Sequence, residues 1–232
     1  MSKFLPARMP LPILLCLLGI APMLSAAELD DHLFSGSKFA QDKKYKEAVR
    51  EFEVAVNIDP KSANANRLLA LTLAKTGELE KAVGYALKAV QLEPNYPTYY
   101  VLGLLYSNQG QFDKATEAYE QALKLNAKSY EVWHQLGKVY STTLHFDKAA
   151  EAYKKAVELN PKFPDAYQGL ASALYWSEDL TGALQQVDAL NKLGFTEQAT
   201  ELKRWIKDKE SKKKKSGKKV PSAPAPAPAP AK

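Results

Sequence analysis

Apolar and small residues recur along this chain at spacings of three and four, and short polar stretches interrupt them at regular intervals. That period is the signature of amphipathic helices. Residues 130–163, YEVWHQLGKVYSTTLHFDKAAEAYKKAVELNPKF, show it most fully. Trp133, Leu136, Val139 and Tyr140 trace one helix face. Phe146, Ala149, Ala150, Tyr153, Ala156 and Val157 trace a second, and a polar break at Thr142–His145 lies between them. Gly137, Ala149 and Ala156 are small where two helices must cross closely, because side chains at the contact set the interaxial distance. Pro161 ends the second helix and turns Asn160 away from helical geometry.

The same register returns elsewhere. Upstream it reads Leu102, Gly103, Tyr106, Gly110, Ala115, Tyr119 and Ala122, with Ala127 in the proline position. Before that come Leu69, Ala70, Leu73, Gly77, Ala82, Ala86, Ala89 and Pro94, then Gly36, Phe39, Ala48, Phe52, Ala55 and Pro60. Downstream come Tyr167, Leu170, Ala171, Leu174 and Ala183. This pattern resembles the tetratricopeptide repeat (TPR), a pair of antiparallel helices in about 34 residues. In residues 130–163 seven of the eight signature positions match, and the eighth, Tyr153, exchanges one aromatic for another. The resemblance implies an all-α, right-handed solenoid of helical hairpins. Five units are expected, at about 29–62, 63–95, 96–129, 130–163 and 164–195, within a repeat region of 28–195. The start at Tyr96 is one residue early, so one loop should be short.

After the last repeat, Gly194 suits the end of a helix. Thr196 then reads as an N-cap with Glu197 in the first turn. Ala199, Leu202, Trp205 and Ile206 give one apolar face, which predicts a capping helix over residues 196–210 that buries Trp205, near Trp176. Residues 211–232 offer almost no apolar surface. Lys212, Lys213, Lys214, Lys215, Lys218 and Lys219 repel one another, and proline alternates with alanine from Pro221 to Pro230, so a disordered tail with extended polyproline II character is expected.

Residues 1–27 read as an export signal: Lys3 and Arg8, an apolar stretch over 11–24, and small residues Ser25, Ala26 and Ala27 that place cleavage before Glu28. An uncleaved inner-membrane anchor is the alternative. Cys16, the single cysteine, lies inside this signal and lacks the preceding small residue of a lipoprotein signal. A mature chain without cysteine or an Asn-x-Ser/Thr acceptor favours a bacterial periplasm.

Charge divides unevenly. The chain carries a net +6, yet residues 28–202 carry nineteen Lys or Arg against twenty-four Asp or Glu, and residues 203–232 carry eleven against two. The basic balance therefore belongs to the C-terminal end. The tail has three readings: a solubilising end, a binder of anionic lipid or polysaccharide head groups, or a nucleic-acid binder. The lack of interleaved aromatics disfavours nucleic acid.

No nucleophile elbow, HExxH, phosphate-cradling loop or Cys/His metal spacing occurs, so neither an enzyme, a metal nor a cofactor is expected. His32 and His145 read as solvated. Within the resembled family the concave face is lined by the second, fifth, ninth and twelfth residues of each first helix and takes an extended peptide or a partner helix. Carried onto this chain, those positions nominate Arg67, Leu71, Tyr100, Leu104, His134, Lys138 and Gln168 as a groove. Tyr100 would anchor an apolar group, and Arg67, His134 and Lys138 would receive a carboxylate. The Lys and Asn set with which relatives hold chaperone tails does not occur at Leu33/Ser37, Arg67/Leu71 and Tyr100/Leu104. The expected role is a non-enzymatic scaffold for envelope-complex assembly, with an envelope tether using the lysine tail as the alternative.

Overall fold

The computed structural model describes residues 20–216, with side chains from 26 to 214. Residues 1–19 of the expected export signal, Lys218, Lys219 and the Ala-Pro stretch lie outside them. Among the described residues the regular structure is entirely helical, and the helices pair as hairpins: α1 (Ile20–Gln41) with α2 (Tyr45–Ile58), α3 (Ala63–Thr76) with α4 (Leu79–Leu92), α5 (Tyr96–Asn108) with α6 (Phe112–Leu125), α7 (Tyr130–Thr142) with α8 (Phe146–Leu159) and α9 (Pro164–Trp176) with α10 (Leu180–Lys192), followed by α11 (Thr196–Ser216). This is the architecture of a TPR solenoid. The chain forms two compact units, one ending at Pro94 and one beginning at Asn95.

Each hairpin turn contains one left-handed residue at the same register: Lys43 (φ 59°), Gly77 (90°), Gly110 (72°), Leu144 (62°) and Glu178 (69°). In four of these turns the left-handed N–H bonds back three residues and the next N–H bonds back five, as in Gly77 to Ala74 and Glu78 to Leu73. This closes the open carbonyls of the first helix in those four hairpins. Glycine accepts the conformation freely, whereas Lys43, Leu144 and Glu178 adopt it against the L-residue preference. Capping residues start several helices. Ser62, Asn95, Ser129 and Asp179 each accept a backbone N–H three residues on. The connection before α5 has three residues, 93–95, where those before α3, α7 and α9 have four, which locates the short loop.

In the first unit, the core of the α1–α2 hairpin gathers around Phe52, whose ring packs on Gly36, and Leu69 and Leu73 are fully buried in α3. His32, expected to be solvated, is 34% exposed at its side chain and also has a partner within the fold. Its Nδ1 stands 2.7 Å from Glu51 Oε2, because α1 packs along α2 and brings the two side chains face to face.

In the second unit Tyr119, Val132, Leu136 and Val139 form the core between α6 and α7, and Tyr96, Tyr99, Tyr100 and Tyr106 pack against it. Tyr153 fills the next interval. Its ring touches both Gly137 and Gly169, where an added Cβ would lie 2.8 and 2.5 Å away. The α11 helix docks through Ala199, Leu202 and Ile206 onto Ala171, Ala183, Val187 and Leu190. It departs from expectation in three ways. Thr196 is its first residue rather than its cap, since Ala199 N–H bonds the carbonyl of Phe195. Trp205 is 41% exposed, while Ile206 takes the buried position at 1%. One position separates them, and 100° of helical rotation carries the indole off the buried stripe. Finally, the helix continues past Glu210 to Ser216. Lys212 pairs with Asp208 and Lys214 with Glu210 at one-turn spacing, and Lys213 reaches Glu178 at 2.9 Å, so these lysines are folded and partly neutralised.

Candidate peptide-binding strip

The first helices α5, α7 and α9 lie side by side in the second unit. Their spacing of 34 residues sets Tyr100, His134 and Gln168 at one register, with Leu104, Lys138 and Ser172 one turn further along. Ser107, Ser141 and Tyr175 continue the rows, and Pro97, Glu131 and Asp165 begin them. The structure thus brings together five of the seven nominated groove residues. Arg67 and Leu71 belong to the first unit. There, half-buried Arg67 donates from Nη2 to Asn64 Oδ1 at 2.7 Å, and burial lowers its pKa.

Aromatic rings dominate the strip. Tyr96 stacks on Tyr100 with centroids 6.1 Å apart and planes 12° apart, and Tyr100 tilts onto Tyr119 at 6.3 Å. A second group begins one repeat later: Tyr130 meets Phe163 edge-on at 5.1 Å, His134 meets Phe163 at 4.9 Å, and His134 tilts onto Tyr153 at 5.6 Å. Hydrogen bonds join the groups. Tyr96 Oη lies 2.8 Å from Ser129 Oγ, which donates to Glu131 at 2.8 Å.

Electrostatics revise the expected chemistry. Burial first, and the Lys138 charge second, lower the His134 pKa to about 4, so its imidazole is neutral near pH 7 and packs as an aromatic ring. It cannot receive a carboxylate as a cation. Lys138 is the exposed cation of these rows, set against Glu131 and exposed Asp165. Burial raises the Tyr100 phenol, and the Tyr153 phenol is pushed up to about 12, so both remain neutral donors. Ser141 near the Tyr153 hydroxyl draws that value down slightly. Tyr119, one repeat earlier, is fully buried with an unpaired hydroxyl. The strip is therefore aromatic and mildly acidic. It can stack flat apolar groups and bond a bound backbone.

Sequence reasoning missed Tyr130 and Phe163. They flank the first helices, outside the family positions, although an aromatic at or just before each first helix of the second unit (Tyr96, Tyr130, Phe163) was a usable signal. It also missed an apolar cleft of about 520 Å³ between α6, α7 and α8, lined by Leu123, Trp133, Leu136 and Tyr140 with Glu120 and Lys148 at its edge. On α7 these residues lie opposite His134 and Lys138.

Three family models match the chain: Tetratricopeptide repeat at residues 97–129 and again at 38–97, and TPR repeat at 145–176. Among curated relatives, Hsp70-Hsp90 organizing protein 3 of Arabidopsis thaliana is 30% identical over 97 residues, 41% of this chain and 17% of that protein. The match spans less than a fifth of the relative's length. Among solved structures, PilF of Pseudomonas aeruginosa superposes with a TM-score of 0.67 at 20% identity, covering 81% of this chain and 92% of that one. The TPR protein YrrB, described as having an unusual peptide-binding site, gives 0.61 at 18% identity, covering 75% and 90%. At these identities the likeness is one of fold.

Proposed function

The chain belongs to the tetratricopeptide repeat family, and on that premise we propose that it is a non-enzymatic scaffold holding an extended peptide or partner helix across α5, α7 and α9. The carrying observation is the alignment of Tyr100 with His134 and Leu104 with Lys138 at the repeat spacing, backed by the rings of Tyr96, Tyr130 and Phe163. A ligand crossing the helices meets an aromatic surface at each repeat. Tyrosine anchors of this kind supply large contact area at small entropic cost.

The export-signal reading of residues 1–27 supports action in the bacterial periplasm, in assembly of an envelope complex. The alternative, a tether to an anionic envelope surface, draws support from the exposed lysines of the last turns of α11 and loses support from their pairing with Asp208, Glu178 and Glu210.

The test is affinity capture from an envelope extract with the chain and with a Tyr100→Ala/Lys138→Ala variant whose melting curve stays cooperative. A protein retained by the parent and lost by the variant supports the strip. Equal retention, lost instead on changing Trp133 and Tyr140, would move the site to the cleft between α6, α7 and α8.

A further inference from the structure

We propose that in the free protein the chain's own segment 217–232 lies across the aromatic strip of α5, α7 and α9 and competes with partners for it. This rests on the strip being a peptide site, as argued above, and adds what fills it.

The first argument is chemical fit. The strip presents tyrosine and phenylalanine rings, neutral His134, and the carboxylates Glu131 and Asp165 against exposed Lys138, with part-buried Lys209 over the Tyr175 ring at its border. It suits a ligand with flat apolar rings and positive charge. Segment 217–232 begins with Lys218 and Lys219 and alternates proline with alanine through Pro230. Proline-rich segments prefer extended polyproline II and dock on aromatic-lined grooves at low ordering cost. Net charge agrees: residues 95–202 are acidic on balance, with nine Lys against thirteen Asp or Glu, whereas 217–232 carry three Lys and no acid.

The second argument is position. The α11 helix places the start of the segment beside the strip. Lys209 donates to the Tyr175 carbonyl at 2.6 Å, and Lys213 holds Glu178 at 2.9 Å, three residues past the strip residue Tyr175. Trp205 of α11 shares a small apolar cleft with Ser172 and Tyr175, so α11 forms one border of the rows. The described chain ends at Ser216, just beyond Lys213. Three helices packed at 8–10 Å place their outer axes about 20 Å apart. Residues 221–230 in polyproline II cover about 31 Å at 3.1 Å per residue. The segment starts at the correct border and is long enough to cross.

The experiment titrates a fluorescent synthetic peptide of residues 217–232 onto the full chain and onto a chain truncated after Ser216, which keeps every described helix. The truncated chain is expected to bind at least tenfold more tightly than the full chain, whose own segment competes. Tyr100→Ala in the truncated chain should weaken binding at least tenfold. Asp165→Lys, at an exposed position in the first turn of α9, provides a second variant whose melting curve is checked alongside and should also weaken it. Absence of binding to the truncated chain, equal binding by both chains, or indifference to both substitutions would overturn the proposal. So would a full chain that sediments as a dimer while the truncated chain is monomeric, because the segment would then occupy a second copy. A random peptide library panned on the truncated chain separates the two readings if the tail peptide fails. Binders that depend on Tyr100 would leave the strip a peptide site with a different occupant. Absence of any Tyr100-dependent binder would remove both readings.

Discussion

The imidazole of His134 meets the ring of Phe163 edge-on, 4.9 Å between centroids, within the buried setting that lowers its pKa. Burial holds the His134 pKa at about 4, against about 6.5 for a free histidine. Below pH 6.5 the unfolded chain takes up a proton that the folded chain refuses. Stability is therefore whole above pH 6.5 and is lost as pH falls from 6.5 toward 4. Urea midpoints measured between pH 7 and 5 should fall for the parent. His134→Phe should flatten that slope, whatever its effect on the value at pH 7. His32 and His145 are present in both chains and cancel.

Gly103 and Gly84 make a matched pair. A Cβ at Gly103 would lie 2.5 Å from the buried Tyr119 ring, whereas a Cβ at Gly84, inside α4, meets nothing within 4 Å. Gly103→Ala should cost about 1–3 kcal/mol through overpacking. Gly84→Ala should add about 0.5–1 kcal/mol by removing backbone freedom from a helix interior. Thermal melts of the two variants should shift in opposite directions.

The α11 helix should depend on Ile206 more than on Trp205. Ile206→Ala empties a fully buried position and should cost about 2–5 kcal/mol. Trp205→Ala, at a 41% exposed position, should cost less than Ile206→Ala. A larger loss for Trp205 in denaturant melts would mean that the indole seals the last repeat after all.

Tyr119 and Tyr153 occupy equivalent positions one repeat apart, yet the Tyr119 hydroxyl is buried without a partner, whereas Ser141 stands near the Tyr153 hydroxyl. Tyr153→Phe should lose up to about 1 kcal/mol with that polar contact. Tyr119→Phe removes a buried, unpaired hydroxyl and should leave stability level or raise it by about 1 kcal/mol. Equilibrium unfolding of both variants checks the contrast.

The architecture was legible because repetition multiplies a weak signal. Gly103 and Gly137 stand at one register and Ala115 and Ala149 at another, so each unit corroborates the next. The site was legible in position but not in charge. Register placed His134 among the exposed groove residues. Its neutrality follows from Phe163 and Tyr153, which come from different elements and meet it only in three dimensions. Trp205 failed for a related reason: the apolar face of α11 is wider than the surface it docks on, and the periodicity of one helix does not show which edge stays outside. The helix beyond Glu210 was hidden because a lysine run reads as self-repelling until Asp208 and Glu178 are seen to neutralise part of it.

The Tyr153 ring, held between Gly137 of its own hairpin and Gly169 of the next, has a consequence for how the molecule folds. Stacked hairpins cohere only through nearest-neighbour contacts, so each shared group sets how far opening spreads. A ring that belongs to two hairpins ties their unfolding into one event. Shrinking it would leave the α9–α10 hairpin and α11 free to fray while the hairpin before them stayed closed, and amide exchange would then run at two rates where a full ring imposes one.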